Sequence, residues 1–167
     1  MARKIAEVRM HWNHFFDGLN ASSQDFFKAV EEAVKRRNLP DIKFERVDYR
    51  EGGIFSAKRE YLRIEHSEHL FDVCAAPFGT GFFFSWWQSD PAPSGLWGII
   101  LKIPILGPLS QALFKPMTFY RKDTTLMASG AIGSSIQEVL ETITKANGMR
   151  SLTEEERKPI MKDLFGR

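Results

Sequence analysis

Residues 42–88 read IKFERVDYREGGIFSAKREYLRIEHSEHLFDVCAAPFGTGFFFSWWQ, and they have the clearest secondary-structure pattern of the chain. This stretch divides into four strand-like segments separated by three short turns, which are polar or contain glycine. The segments are 42–50, 55–66, 70–76 and 81–88, and the turns are 51–53, 67–68 and 78–80. Runs rich in β-branched and aromatic residues between such turns are typical of strands, and short turns connect antiparallel neighbours. We therefore predict an antiparallel meander.

The side-chain pattern within these segments differs from one segment to the next. In 55–66, Leu62 and Ile64 alternate with polar neighbours, which is typical of a sheet with one solvated face. In 81–88 the aromatic residues Phe82, Phe83, Phe84, Trp86 and Trp87 fall on both faces. Something other than water is therefore expected to cover the second face of that strand.

Apolar spacing predicts two helices before the meander. The first has apolar residues along one side and should end near Asn20; these residues are Val8, Trp12, Phe15, Phe16 and Leu19. The second should begin at an N-cap of Ser22 or Ser23 and end at the basic run 35–37. Its apolar side is Phe26, Phe27, Val30 and Val34.

Residues after the meander predict a short strand and one long helix. Met117 to Arg121 is assigned to a fifth strand, and 90–93 to a loop. A helical stripe follows, ended by Asn147–Gly148; it is Ile132, Ile136, Val139 and Ile143. Thr153 and Glu156 have the spacing of a capping box. The fold class expected is α+β: one domain, 1–167, with N-terminal and C-terminal helices packed on an antiparallel meander of four to five strands.

The most unusual feature is a scarcity of charge. Between Val73 and Tyr120 there are only three formal charges, although 26% of the chain is charged; they are Asp90, Lys102 and Lys115. Residues 91–116 are predicted to be an apolar insertion, a helical hairpin interrupted by proline and glycine. Its apolar part from Leu96 to Leu106 is too short to span a bilayer, which takes ~20 residues. Three placements stay open: core over the aromatic strand, a lipid-contacting surface, or an interface with another chain.

We predict a non-enzymatic interaction domain that contacts a membrane surface or an apolar protein partner through residues 96–114. The residues predicted to contact ligand or lipid are Phe82, Phe84, Trp86, Trp97, Ile99, Ile100, Lys102, Ile103 and Lys115. One alternative is a small-molecule binding protein or enzyme with an aromatic pocket between sheet and helices, where Asp72 or His11 supplies the polar group. Another is a homo-oligomer held by the same segment.

Few residues suggest chemistry. No catalytic residue or cofactor is predicted, and the only metal candidates are His11 and His14, which share one side of the predicted first helix. Gly79-Thr80-Gly81 lacks the continuation of a phosphate loop and is assigned to a hairpin turn. Asp72 is expected to pair with Arg59 or Arg63 on the neighbouring strand.

Charge and the N-terminus bear on partners and location. The net charge is +2 and the basic residues are interleaved with acidic ones, so we do not expect nucleic-acid binding. The basic N-terminus is not followed by the apolar run of a signal peptide. The expected location is cytoplasmic, with peripheral attachment to a membrane.

Overall fold

The structure, a computed structural model, describes residues 4–50, 57–67, 69–92 and 118–161. These residues form six strands and three helices. In chain order they are β1 (Ile5–Phe16), α1 (Ser23–Arg36), β2 (Ile42–Arg50), β3 (Lys58–His66), β4 (His69–Phe78), β5 (Gly81–Pro91), α2 (Phe119–Ala146), α3 (Glu154–Arg157) and β6 (Ile160–Met161).

The strands form one antiparallel sheet in the order β2-β3-β4-β5-β1-β6. Strands β2 to β5 follow the chain as a meander, which confirms the predicted α+β class and the antiparallel sheet. Gly79, with φ of 57°, and Thr80 join β4 to β5, so the predicted hairpin turn is confirmed as well. The sheet is larger than predicted because β1 adds a long strand along β5.

The predicted first helix is wrong, because residues 5–16 form β1. Its apolar residues Trp12 and Phe16 are four apart, and a spacing of four keeps side chains on one face of a strand as well as on one side of a helix. Pairing decides between the two. β1 runs antiparallel to β5 from Ile5 opposite Pro91 to Phe16 opposite Phe82, and it satisfies an edge that would otherwise be open.

Two other assignments after the meander need correction. Phe119 begins α2, so residues 119–121 of the predicted fifth strand are helical. Asp90 and Pro91, assigned to a loop, complete β5, where proline is tolerated because the strand ends there. The predicted hairpin between residues 93 and 116 lies outside the described residues.

The core lies between one face of the sheet and the two long helices. Helix α1 contributes Phe26, Phe27 and Val30, and α2 contributes Ile132, Ile136 and Leu140, all at most 1% exposed. They pack on sheet side chains of a single face, which include Leu62, Ile64, Phe71, Val73 and Phe84. The helices also contact each other: Arg36 pairs with Glu138 at 2.7 Å, and Arg37 Nε donates to Ser135 Oγ at 2.6 Å. The predicted C-terminal helix is thus confirmed.

Side-chain caps set the ends of the helices as the sequence indicated. Ser22 Oγ accepts from Asp25 N–H at the start of α1, and Gly148, with φ of 68°, follows the end of α2. Thr153 and Glu156 form the capping box of α3. The indole N–H of Trp12 donates to the Glu156 carbonyl at 2.6 Å, which fastens α3 to the sheet next to β6.

Candidate functional site

The first turns of α2 expose a large apolar surface. Phe119, Tyr120 and Met127 are 83%, 80% and 66% exposed, and Leu126 is also exposed. Because they fall at i, i+1, i+7 and i+8, these four residues lie along one side of the helix. We call them the apolar stripe. The Lys122 ammonium lies 5.9 Å from the centre of the Phe119 ring. The stripe begins directly after the apolar insertion in sequence.

His69 links the two chain positions that flank the insertion. Its Nδ1 lies 3.1 Å from Asp90 Oδ1, and its Nε2 lies 2.8 Å from Thr125 Oγ1. Asp90 is near the end of β5, whereas Thr125 is in the second turn of α2. We call this arrangement the His69 clasp. It connects the end of β5 to the start of α2 through His69. These are the two described segments on either side of the insertion.

Arg9 completes the clasp from β1. Its Nε and Nη2 donate to Asp90 Oδ2 at 2.9 and 2.7 Å. Burial raises the pKa of the Asp90 carboxyl, but the hydrogen bonds from His69 and Arg9 outweigh it and the pKa lies below its usual value. Asp90 therefore stays ionised and holds the His69 ring.

A cleft lies between α2 and residues 154–161 on the helix-bearing face of the sheet. Its volume is about 740 Å³, and Met10 and Trp86 form its floor. One wall is α2, with the small residues Gly130 and Gly133, and Arg157 and Pro159 stand opposite. The Trp86 indole N–H has no hydrogen-bond partner within the part of the chain that the structure describes.

The residues predicted to contact a ligand or lipid fall into three groups. Trp97, Ile99, Ile100, Lys102, Ile103 and Lys115 lie outside the described residues. Phe82 and Phe84 are core residues, each 1% exposed, and their ring centres are 5.0 Å apart. Trp86 lines the cleft. Of the three strand residues predicted to line an aromatic pocket, Phe82, Phe84 and Trp86, only Trp86 lines the cleft.

Asp72 and His11 do not join Trp86. Both residues are in register with Trp87, whose side chain points to the sheet face opposite that of Trp86. His11 stacks on the Trp87 ring with centres 4.7 Å apart. The polar groups proposed for the aromatic pocket therefore lie on the other side of the sheet from the cleft.

On that opposite face, the buried Arg63 and Asp72 form a network with the partly exposed Tyr49. Arg63 donates from Nε and Nη2 to the two Asp72 oxygens at 2.7 and 2.8 Å, so the predicted pairing of Asp72 with an arginine is confirmed. Tyr49 Oη donates to Asp72 Oδ2 at 2.7 Å. Burial and this hydrogen bond raise the pKa of the Tyr49 phenol, which stays protonated. All three groups satisfy one another, which indicates a structural role.

The two residues predicted as metal ligands, His11 and His14, do not lie on the same side of the sheet. His11 and His14 are three residues apart in β1, so they point to opposite faces of the sheet. His14 lies against Phe16, with ring centres 4.6 Å apart, and burial lowers its pKa. Among the described ranges, no three or more His, Cys, Asp or Glu side chains are grouped to hold a metal ion.

Cys74 is buried next to this network, and burial raises the pKa of its thiol. A thiol in that state is a weak nucleophile. No catalytic role follows from its position.

Comparison with protein-family models finds no match, and comparison with curated proteins and with solved structures finds no significant one. Within the described parts of the chain, none of the helices has both the length and the apolar character needed to cross a bilayer. The apolar stripe and the cleft are therefore interpreted from their own geometry.

Proposed function

We propose that this protein is a non-enzymatic interaction domain that attaches to an anionic membrane surface through residues 96–114 and the apolar stripe. The observation that carries the proposal is the stripe itself. Four large apolar side chains stand in solvent on one side of α2, immediately after the longest charge-poor part of the sequence. Exposed apolar patches of this kind commonly mark a surface that is covered in use.

The composition of the surface favours lipid over a wholly apolar protein partner. Phe119 and Tyr120 are aromatic residues of the type that concentrates at membrane interfaces. Residues 91–127, which include the whole stripe, contain four basic side chains and one acidic one, Asp123; the basic residues are Lys102, Lys115, Arg121 and Lys122. Each lysine or arginine near an anionic leaflet contributes about 1 kcal/mol of attraction. Aromatic and aliphatic groups beside basic ones are typical of interfacial attachment.

In this proposal the predicted helical hairpin, interrupted by its prolines and glycines, lies within residues 93–116, after the end of β5 at Pro91. Its lipid contacts are the apolar residues from Leu96 to Leu106, including Trp97, Ile99, Ile100 and Ile103. Lys102 and Lys115 reach the headgroups. The His69 clasp supports this arrangement because it connects the two chain positions that flank the insertion. The proposed location is the cytoplasmic leaflet, where anionic lipids are concentrated.

Vesicle co-sedimentation tests the proposal. The purified chain is mixed with vesicles of phosphatidylcholine alone or with phosphatidylserine, at low and high salt. We expect pelleting with the anionic vesicles that weakens with salt. Phe119→Ser with Met127→Ser, and separately Ile100→Asp with Ile103→Asp, should reduce it at least tenfold. Burial of each large apolar side chain is worth about 1.5–3 kcal/mol.

Phe78→Ser is the matched control. Phe78 is 69% exposed, but it lies at the end of β4 next to the β4–β5 turn. Its replacement should leave vesicle binding unchanged. Light scattering on the same preparations examines the homo-oligomer alternative. A dimer that the Phe119 and Met127 changes convert to a monomer, with no vesicle binding by the parent chain, would show that the surface is a protein interface.

A further inference from the structure

We propose that the cleft between α2 and residues 154–161 binds one long-chain fatty acid, with its carboxylate at Lys145 and Arg157 and its chain over Met10 and Trp86 towards Leu126. This inference builds on the proposed lipid contact, and it names the ligand that the domain would take from the membrane.

The cleft has the size and wall that an acyl chain needs. Its volume of about 740 Å³ falls in the range of small-molecule sites, ~300–1,000 Å³. Gly130 and Gly133 have no side chains, so at these two positions nothing projects from α2 into the cleft. A Cβ atom at Gly130 would meet nothing within 4 Å, and one at Gly133 would lie 3.8 Å from Trp86 Cζ2. The helix backbone therefore comes close to the indole and still leaves open space beside it.

Two of the hydroxyl groups in the wall, those of Ser129 and Thr142, are already used within the protein. Ser129 Oγ lies 2.8 Å from Gln88 Oε1 and 2.7 Å from the Thr125 carbonyl, either of which can accept its proton. Thr142 Oγ1 donates to the Glu138 carbonyl at 2.9 Å. These side chains need no hydrogen bond from a ligand. Together with Met10, Trp86 and Leu126 they offer an acyl chain mainly carbon surface.

The far end of the cleft has the charge for a carboxylate. Lys145 Nζ lies 2.8 Å from one oxygen of Glu141, and Arg157 Nη2 lies 3.7 Å from the other. Among the described residues at this end, the Glu141 carboxylate thus faces two cations. Glu138, which also lines the cleft, is paired with Arg36 and Arg37 at the end of α1. A ligand carboxylate would complete the pairing, and arginine is well suited to bind it.

The near end of the cleft meets the apolar stripe. Leu126 belongs to both, because it lines the cleft and is exposed beside Met127. From Leu126 to Lys145 the helix rises about 28 Å, at ~1.5 Å per residue. One acyl chain occupies about half of the ~30 Å hydrocarbon core of a bilayer. The cleft is therefore long enough for a single chain whose tail ends at the surface that we propose to contact lipid.

The experiment is titration of the full chain with sodium oleate below its micellar concentration, followed calorimetrically and by displacement of a fluorescent fatty acid. We expect one oleate per chain. Gly130→Leu should weaken binding at least tenfold, because the added side chain enters open space in the cleft without a clash. Ala146→Leu adds the same side chain to an exposed position at the end of α2 and should leave binding unchanged.

The carboxylate is tested separately. Oleyl alcohol should bind several-fold more weakly than oleate, and this difference should disappear in Lys145→Gln with Arg157→Gln. Absence of oleate binding by the folded parent chain overturns the inference. Equal binding by folded Gly130→Leu also overturns it, because the chain would then lie elsewhere.

Failure of this inference is distinguishable from failure of the membrane proposal. Gly130→Leu should still pellet with anionic vesicles, and Phe119→Ser with Met127→Ser should still bind oleate in solution. Vesicle binding without oleate binding would leave a membrane-attached domain with no acyl site. Oleate binding without vesicle binding would support the cleft and contradict the membrane proposal.

Discussion

The Arg63 guanidinium and the Asp72 carboxylate form a two-hydrogen-bond ion pair between β3 and β4, and their side chains are only 1% and 2% exposed. The two residues are direct cross-strand partners, so the sheet register places the charges opposite each other. The hydrogen bonds that Arg63 donates to Asp72 are the main reason that the pKa of Arg63 is raised. Each charge compensates for the desolvation of the other.

Removing one member of this pair should be strongly destabilising. We expect Asp72→Ala to lower the free energy of unfolding by about 3–5 kcal/mol, because Arg63 would remain charged and buried. Asp48→Ala is the control. It breaks the half-exposed pair of Asp48 with Lys58 in the same sheet, which should cost about 1 kcal/mol or less. Urea unfolding of the three proteins measures both differences.

A double change to apolar residues sharpens this test. Arg63→Met with Asp72→Leu removes both charges and should recover most of the stability lost in Asp72→Ala. If the double variant is no more stable than the single one, burial of an unpaired charge is not the source of the loss.

Gly81 should not tolerate a side chain. A Cβ atom there would lie 2.3 Å from the Phe16 carbonyl oxygen and 2.5 Å from Phe15 Cζ, both in the paired strand β1. We expect Gly81→Ala to destabilise the fold by several kcal/mol or to prevent folding. Gly130→Ala, in the open part of α2, should instead stabilise it by about 0.5–1 kcal/mol. Thermal unfolding of both variants is the measurement, and equal effects would contradict the close packing of β1 on the β4–β5 turn.

Stability should fall as the pH is lowered from 7.5 to 5. Burial lowers the pKa values of His66 and His14 in the folded protein. As the pH falls through the ordinary histidine pKa near 6.5, these residues therefore take up protons in the unfolded chain before they do so in the folded one, and this favours unfolding. The loss should level off below the folded-state values. His66→Leu should make stability less dependent on pH across this range. Urea midpoints at several pH values show how stability depends on pH in the parent chain and in His66→Leu. An unchanged dependence in the variant would show that His66 does not contribute to the loss of stability at low pH.

Local sequence signals were sufficient for much of the fold. Strand β2 has the predicted bounds, and the Ser22 cap and the capping box at Thr153 lie where their spacing indicated. Residues 5–16 were assigned wrongly because a spacing of four fits both a helix and a strand. What makes them a strand is the free edge of β5, which is more than sixty residues away in sequence.

The candidate sites depended still more on distant contacts. Neighbouring strands brought Asp72 and Arg63 together, so that pair was predictable. Tyr49 was missed because it reaches Asp72 from the strand beyond β3. The His69 clasp joins residues 69, 90 and 125, and the cleft needs α2 beside residues 154–161. No local pattern encodes either arrangement.

The bond from Trp12 to Glu156 should hold the C-terminal part of the described chain in place. Trp12→Phe removes the indole N–H that donates to the Glu156 carbonyl at 2.6 Å, next to the pairing of β6 with β1. We expect hydrogen-exchange protection around α3 and β6 to fall about tenfold, which corresponds to a loss of about 1.4 kcal/mol. Trp86→Phe is the matched control, because it removes a similar volume and an indole N–H that has no partner among the described residues. Amides of β4 report on global stability. If the two variants lose the same protection around residues 154–161, the effect comes from side-chain volume and the hydrogen bond does not anchor α3.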